Sequence, residues 1–221
     1  MINNLNKKRV VAIGAHPDDI EFGCSGTLMR HRKAGDEITM VVMTNSKSVD
    51  GVTGKVIRSN DELFQETKEA ADIIGGRLIM LSFEDLRVPF SLESVSDVQR
   101  VLEAAKADTV YTHWAGDSNQ DHIATYRASV AAARYVKNVY CYEQIPIPRH
   151  TENEMKPTYY SDISNEFEDK IKVANCHKSQ IDKYAKVGLD VPKNLKTLAM
   201  FRGIQANVQY AEAFQVLKSV T

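Results

Sequence analysis

Two short polar segments carry the residue types from which a zinc site is built. The first is the run His-Pro-Asp-Asp at residues 16–19, and the second reaches His122 about a hundred residues later. A catalytic zinc ion takes three protein ligands, imidazole nitrogen or carboxylate oxygen, and keeps a fourth position for water. We predict that His16, Asp19 and His122 are these ligands. Asp18 is then free to act as the general base on a water molecule.

Each segment taken alone also has a structural explanation. Proline and aspartate are common turn residues, so the first run could be a simple turn. Asn119 or Asp121 could cap the helix that is predicted to begin near His122. Asp121 is equally a candidate for the carboxylate that orients the ligand His122. The two segments together, each following a buried strand, favour a functional site.

Apolar runs and amphipathic stretches alternate along the chain. Wholly apolar runs are typical of strands covered on both faces of a parallel sheet. Strands are predicted at residues 10–13, 38–44, 78–81, 109–112 and 139–142, and helices at 24–33, 62–74, 92–105, 122–135, 166–184 and 195–205. This order predicts one Rossmann-like α/β domain over residues 1–221, with a doubly wound, mostly parallel sheet and helices on both faces.

The predicted topology explains how two distant segments could form one site. Ligands of open parallel sheets bind where the carboxyl ends of the strands meet. Both polar segments follow predicted strands directly, so a crossover fold can bring them side by side. Residues 45–57 and 143–158 contain glycines and prolines, respectively, without apolar periodicity. We predict that both are irregular loops and that they build most of the pocket wall.

Composition excludes several classes of protein. The formal net charge of −1 over 221 residues gives no indication of a nucleic-acid or anionic-membrane surface. No apolar run approaches the ~18 residues that a membrane span requires. The three cysteines are odd in number and lack C-x-x-C spacing. They predict packing residues rather than disulfides, and a cytoplasmic location.

The residues around both segments resemble a known family. The run AHPDDIEFGCSGTL at 15–28 looks like the signature of the PIG-L/LmbE-like de-N-acetylases, and Asp117 with 121–122 resembles their second motif. Residues 177–180 (HKSQ) and 202–214 are similar to the C-terminal pattern of the family. The resemblance implies zinc-dependent removal of an acyl group, usually acetyl, from an amino sugar. It also implies that His16, Asp19 and His122 are the zinc ligands and that Asp18 is the base, in agreement with the assignment from the residue types.

Two positions depart from the family pattern. Many members have a histidine where this chain has Asn119, whose amide could instead donate a hydrogen bond to an oxyanion. Members often have an arginine three residues before the glutamate that matches Glu66, and that arginine contacts the sugar. Here the position is Leu63, and Arg58 is the candidate replacement. Trp114 could stack on a sugar face.

The remaining histidines are predicted to have lesser roles. His113 is expected to be a packing or rim residue, His31 to be solvated, and His150 to line the pocket mouth. His177 and Gln180 lie one helical turn apart and are expected to pin a helix.

The predicted substrate is a small N-acyl amino sugar of the N-acetylglucosamine type or its conjugate. The alternatives are a zinc amidase of the thiol-conjugate amidase type and a non-catalytic carbohydrate-binding protein. The sequence lacks the G-x-G-x-x-G, G-x-S-x-G and H-E-x-x-H motifs of three rival classes. Because members of the family are often trimers or hexamers, a homo-oligomer is an open expectation.

Overall fold

The structure, a computed structural model, describes residues 7–45, 48–49, 53–144 and 155–220. The strands are β1 (Arg9–Gly14), β2 (Glu37–Thr44), β3 (Ser48–Val49), β4 (Val56–Arg58), β5 (Arg77–Phe83), β6 (Thr109–Thr112), β7 (Asn138–Tyr142), β8 (Tyr159–Asp162) and β9 (Ala211–Lys218). The helices are α1 (Asp19–Lys33), α2 (Asn60–Ile74), α3 (Leu92–Ala105), α4 (Gln120–Ala132), α5 (Phe167–Asn175), α6 (Lys178–Ala185) and α7 (Val191–Ala206). A 3₁₀ turn, Ala133–Tyr135, follows α4.

Seven strands form one sheet in the order β5-β2-β1-β6-β7-β9-β8. The first five are parallel, and β9 pairs antiparallel with both β7 and β8. Val10 of β1 pairs with Ile38 on one side and Thr109 on the other, which places β1 in the middle of the parallel part. The predicted mostly parallel α/β fold is confirmed.

The core lies on both faces of the sheet because successive strand residues point to opposite sides. Val10 and Ala12 of β1 belong to an apolar cluster that includes Leu28 of α1. Val11 and Ile13 belong to a second cluster on the other face, which includes Val98 of α3. Burial on both faces explains why this strand is apolar without alternation.

Some predicted boundaries were wrong. Helix α1 begins at Asp19, five residues earlier than predicted. Its first turn is polar but buried, so the hydrophobic pattern did not identify it as part of the helix. The helix predicted at 166–184 is two helices, α5 and α6, separated at Cys176 and His177. The segment predicted as an irregular loop at 45–57 contains an antiparallel ribbon of β3 and β4.

Strand β9, which runs antiparallel to its neighbours, and the edge strand β8 were not predicted either. All three cysteines are buried and free, as predicted from their number and spacing. Within the described part of the chain, no helix combines the length and apolar character needed to cross a membrane.

Candidate metal centre

The carboxyl ends of β1, β5 and β6 deliver the polar side chains of the site. His16 lies in the turn between β1 and α1, and Asp19 is the first residue of α1. Asp85 follows β5, and Asp117 lies between β6 and α4. His122 lies in the first turn of α4. The site therefore occupies the edge at which parallel sheets bind their ligands.

The three predicted ligands come together around the Asp19 carboxylate. His122 Nε2 lies 3.2 Å from Asp19 Oδ1, and His16 Nδ1 lies 3.5 Å from Asp19 Oδ2. One ligand atom from each of the three residues lies within 4.8 Å of the others. Asp19 Oδ2 also accepts a hydrogen bond from the backbone N–H of His16, at 2.7 Å, which closes the turn.

The donor set fits a zinc ion. Two imidazole nitrogens and one carboxylate oxygen converge, and Asp19 and His122 are buried while the His16 side chain keeps 16% of its surface exposed. Catalytic zinc sites use such a three-ligand set with one side open. Burial lowers the pKa of His122, but Asp19 and Asp117 oppose this and raise it to about 9. The excess of carboxylates thus attracts positive charge to this edge.

Each ligand histidine has a second carboxylate behind it. His122 Nδ1 lies 2.7 Å from Asp117 Oδ2. His16 Nε2 lies 3.0 Å from Asp121 Oδ2 and 3.2 Å from Asp85 Oδ1. Such partners fix the orientation and tautomer of a ligand histidine.

The prediction that Asp121 orients His122 was wrong in its partner. Asp121 lies against His16, and Asp117 is the carboxylate beside His122. Asp121 also accepts hydrogen bonds from the backbone N–H groups of Leu86 (2.7 Å) and Val88 (3.1 Å). Asp121 therefore joins the segment after β5 to the metal centre.

His113 seals the inner wall of the site. Its ring is fully buried and stacks on His122, with ring centroids 4.0 Å apart. His113 Nε2 lies 3.0 Å from Ala15 N and 3.1 Å from Asp19 Oδ2. Burial and the charge of His122 lower the pKa of His113 to about 4, so the ring is neutral. His113, Asp117 and His122 also meet the distance requirement for a metal, as do His16, Asp85 and Asp121. The triad of His16, Asp19 and His122 is favoured because each of its two imidazoles has a separate carboxylate that orients it.

Asp18 occupies a strained position beside the ligands. Its backbone φ of 110° lies in a region that residues other than glycine rarely adopt, and such strain concentrates at functional sites. The side chain is buried and makes no capping hydrogen bond to α1. Burial and the adjacent charge of Asp19 raise the pKa of Asp18 to about 6, against the opposing effect of Arg58, His177 and His16.

The other predicted site residues have varied surroundings. Asn119 is the N-cap of α4, because its Oδ1 accepts from the backbone N–H groups of Asp121 (2.8 Å) and His122 (3.4 Å). The role of Asn119 at an oxyanion stays a prediction. Because its Oδ1 caps the helix, its amide nitrogen is the group that could donate to an oxyanion. Trp114 is partly buried, and its ring packs so closely over Gly116 that no Cβ would fit there without a shift of the ring.

Arg58 is buried rather than solvated. Its Nη1 lies 3.3 Å from Oε2 of Glu66. In the family pattern, the arginine that contacts the sugar stands three residues before the glutamate that matches Glu66. Leu63 is also buried. Contact of Arg58 with a sugar stays a prediction.

The prediction that His31 is solvated was wrong. Its ring nitrogens lie 2.7 Å from Asp36 Oδ2 and 3.0 Å from the Tyr111 hydroxyl. His150 and most of the predicted pocket loops lie outside the described residues.

Sequence reasoning missed Asp85 and Gln144. Gln144 Nε2 donates to the backbone and carboxylate oxygens of Asp19, both at 3.2 Å. Asp85 and Gln144 both follow strands at the same sheet edge, so the strand-end rule could have identified them.

Fold and site together define an α/β protein with a cluster of histidines and aspartates at its strand ends that could hold a metal ion. The profile of the PIG-L family, described as GlcNAc-PI de-N-acetylase, matches residues 11–133, and the chain belongs to this family.

Several known proteins are similar to this chain. The uncharacterized deacetylase YaiS of Escherichia coli K12 is 34% identical over 151 residues, which are 65% of this chain and 78% of YaiS. The diacetylchitobiose deacetylase of Thermococcus kodakarensis is 24% identical over 234 residues, 96% of this chain and 84% of that protein. The 4-carboxy-2-hydroxymuconate hydratase GalB of Pseudomonas putida KT2440 superposes with a TM-score of 0.82 and 19% identity, over 98% of both chains. This last similarity shows the fold alone.

Proposed function

We propose that this protein is a zinc-dependent hydrolase that removes the N-acetyl group from an N-acetylglucosamine-type sugar or its conjugate. The observation that carries the proposal is the convergence of His16, Asp19 and His122, with Asp18 in the same turn as two of them. Membership of the PIG-L family and the similarity to deacetylases support the acetyl group and the sugar.

The proposed roles follow from what each side chain can do. His16, Asp19 and His122 would hold the metal, which when bound supplies a Lewis acid that polarises the amide carbonyl and eases deprotonation of a water. The Asp18 carboxylate would accept a proton from the attacking water as the new C–O bond forms. Asp18 would then return that proton to the nitrogen as the C–N bond breaks. The products are acetate and a free amine.

The surroundings of Asp18 suit this exchange. A carboxyl with a pKa of about 6 can both accept and release a proton near neutral pH. Asn119 could donate its amide N–H to the oxyanion, and Arg58 and Trp114 could contact the sugar. These three roles are proposals of the same kind.

The test is acetate release from a panel of N-acetylglucosamine compounds: the free sugar, its malate-, inositol-, lipid- and nucleotide-linked forms, and diacetylated chitobiose. A chelated sample and Asp18→Asn run beside the wild type. Release that depends on both zinc and Asp18 would support the proposal and identify the substrate class. Zinc-loaded protein that releases acetate from no compound would contradict it. Activity on another amide would then favour an amidase, and water addition to an alkene would favour a hydratase like GalB.

A further inference from the structure

Glu21 and His177 form a buried pair that the proposed reaction does not use. Both side chains are fully buried, and His177 Nε2 lies 3.4 Å from Glu21 Oε1. Among the described residues, neither oxygen of Glu21 and neither ring nitrogen of His177 makes a hydrogen bond. An unsatisfied buried polar group costs about 1–3 kcal/mol, so Glu21 Oε2 and His177 Nδ1, which lie outside this ion pair, call for an explanation.

The pair packs directly against the turn that carries Asp18. Glu21 lies three residues after Asp18, in the first turn of α1. His177 lies at the break between α5 and α6, with its ring edge against Phe22 at a centroid distance of 6.0 Å. The backbone N–H of Phe22 donates to the Asp18 carbonyl at 2.9 Å. His177 therefore supports the strained turn from the protein interior.

Arg58 is linked to the same break between α5 and α6 through Glu66. Its Nε has no hydrogen-bond partner among the described residues. Glu66, its ion-pair partner, accepts hydrogen bonds from the backbone N–H (2.8 Å) and hydroxyl (2.7 Å) of Ser179, two residues after His177. The start of α6 therefore holds both the imidazole and, through Glu66, the guanidinium.

The surroundings of His177 favour its ion pair with Glu21. Burial lowers the pKa of His177, but Glu21 and Asp18 raise it above its usual value overall, which favours the charged imidazole. The Asp18 side chain lacks a capping bond that would fix its rotamer locally. The orientation of Asp18 therefore depends on the backbone of this turn, which the contact between Glu21 and His177 anchors to the break between α5 and α6.

We propose that His177, together with Glu21, is a positioning residue for Asp18. The pair holds the turn that carries Asp18, and with it the carboxylate, in the orientation that proton transfer requires. This inference rests on the proposed function for its kinetic consequence, and on the geometry alone for its structural one.

The kinetic test is a double-mutant cycle of His177→Gln and Asp18→Asn. We expect His177→Gln to lower kcat about 10- to 100-fold with nearly unchanged KM and metal content. In the Asp18→Asn background the same change should lower kcat by less than about twofold, because residues that act as a unit are not additive. An equal loss in both backgrounds would overturn the proposal and identify a merely structural role.

Two further variants guard against a folding defect. Glu21→Gln replaces the carboxylate by an amide of nearly the same volume and weakens the contact with His177, so we expect the same pattern of kinetic losses. His31→Gln is the matched control, since His31 also lies on α1 and is hydrogen-bonded but faces Asp36 and Tyr111. It should leave kcat unchanged.

Crystal structures of the zinc-loaded wild type and His177→Gln decide the inference without any substrate. The Asp18 carboxylate should rotate or become disordered in the variant, while His16, Asp19 and His122 stay in place. An unmoved Asp18 would overturn the inference. If the wild type hydrolyses no compound of the panel, the proposed function fails, whereas the two structures still decide the role of His177.

Discussion

At the scale of single residues, each ligand histidine lies between Asp19 and a further carboxylate. His122 has Asp117 at 2.7 Å, and His16 has Asp121 at 3.0 Å. Because the nitrogen remote from Asp19 faces this further carboxylate in each ring, the carboxylate favours a proton on that nitrogen and leaves the other nitrogen for a metal. We therefore expect the carboxylates behind the histidines to contribute to metal affinity without touching the ion.

Replacing Asp117 by asparagine should weaken zinc binding. The variant keeps the size of the side chain but removes the charge that orients His122, so we expect zinc affinity to fall about 10- to 100-fold. Competition with a chromophoric chelator measures this affinity. Asp108→Asn is the matched control, because Asp108 pairs with Arg9 at the first residue of β1, whereas the site follows the last residue of that strand. Equal affinities in the wild type and Asp117→Asn would contradict the role of Asp117.

The exchange between Asp117 and Asp121 shows what the sequence can and cannot predict about a site. The ligand types and the spacing predict His16, Asp19 and His122, and these three converge. Successive residues of a helix point about 100° apart, so the Asp121 side chain points away from the ring of its neighbour His122. Asp117 precedes the helix and can fold back, which sequence adjacency does not reveal.

Asp18→Asn should separate chemistry from metal binding. Asparagine is nearly isosteric but cannot accept the proton of water, so acetate release should fall by about 10²- to 10⁴-fold. Zinc content, measured by mass spectrometry, should stay at the wild-type level because Asp18 is not a ligand. A variant that keeps nearly full activity would exclude Asp18 as the base.

At the scale of elements, an ion pair in the interior joins α1, α5 and β9. Lys170 Nζ donates to Glu212 Oε1 at 2.6 Å and to the backbone oxygen of Phe22 at 2.7 Å. Glu212 also accepts from the backbone N–H groups of Gly26 and Thr27. The antiparallel strand β9 thus holds α1, the helix whose first turn lies at the candidate metal centre.

Lys170→Met should destabilise the fold strongly. It leaves the buried Glu212 charge without its partner, which costs about 3–5 kcal/mol in comparable cases. Lys172→Met is the matched control on the same helix, because Lys172 pairs with Asp169 on the exposed surface, and such pairs contribute about 0–1 kcal/mol. Urea unfolding gives both free energies of unfolding. Similar losses in the two variants would show that the buried pair has no special weight.

The elements also differ in how far they follow from the sequence. The run at 109–112 and the helix at 92–105 are observed with the predicted boundaries, since burial and amphipathic period coincide there. Strand β9 lies at the antiparallel side and is buried mainly over Ala211–Phe214, a pattern that includes the charged Glu212. From the sequence alone, a glutamate predicts a surface position, because its lysine partner lies 42 residues away in the chain.

At the scale of the whole molecule, the parallel order β5-β2-β1-β6 brings together residues that are far apart in the chain. Residues 16 and 121 are 105 positions apart, and their side chains lie 3.0 Å from each other. The alternation of strands and helices was enough to predict this convergence, because right-handed crossovers place all parallel strand ends at one edge. The loops that determine the substrate do not follow such a rule.

Removal of the metal should therefore lower the stability of the whole domain. Asp19, Asp85, Asp117 and Asp121 crowd one sheet edge with two ligand histidines, and a bound cation would offset their mutual repulsion. Zinc at about 1,000 times its Kd should stabilise the fold by about 4 kcal/mol, which corresponds to a rise in Tm of about 10 °C for a chain of this size. Differential scanning calorimetry with zinc and with a chelator measures the shift. His122→Ala removes one ligand, so it should purify with much less zinc and lose most of the shift. A full shift in that variant would place the stabilising ion elsewhere, and no shift in the wild type would contradict a metal centre at this edge.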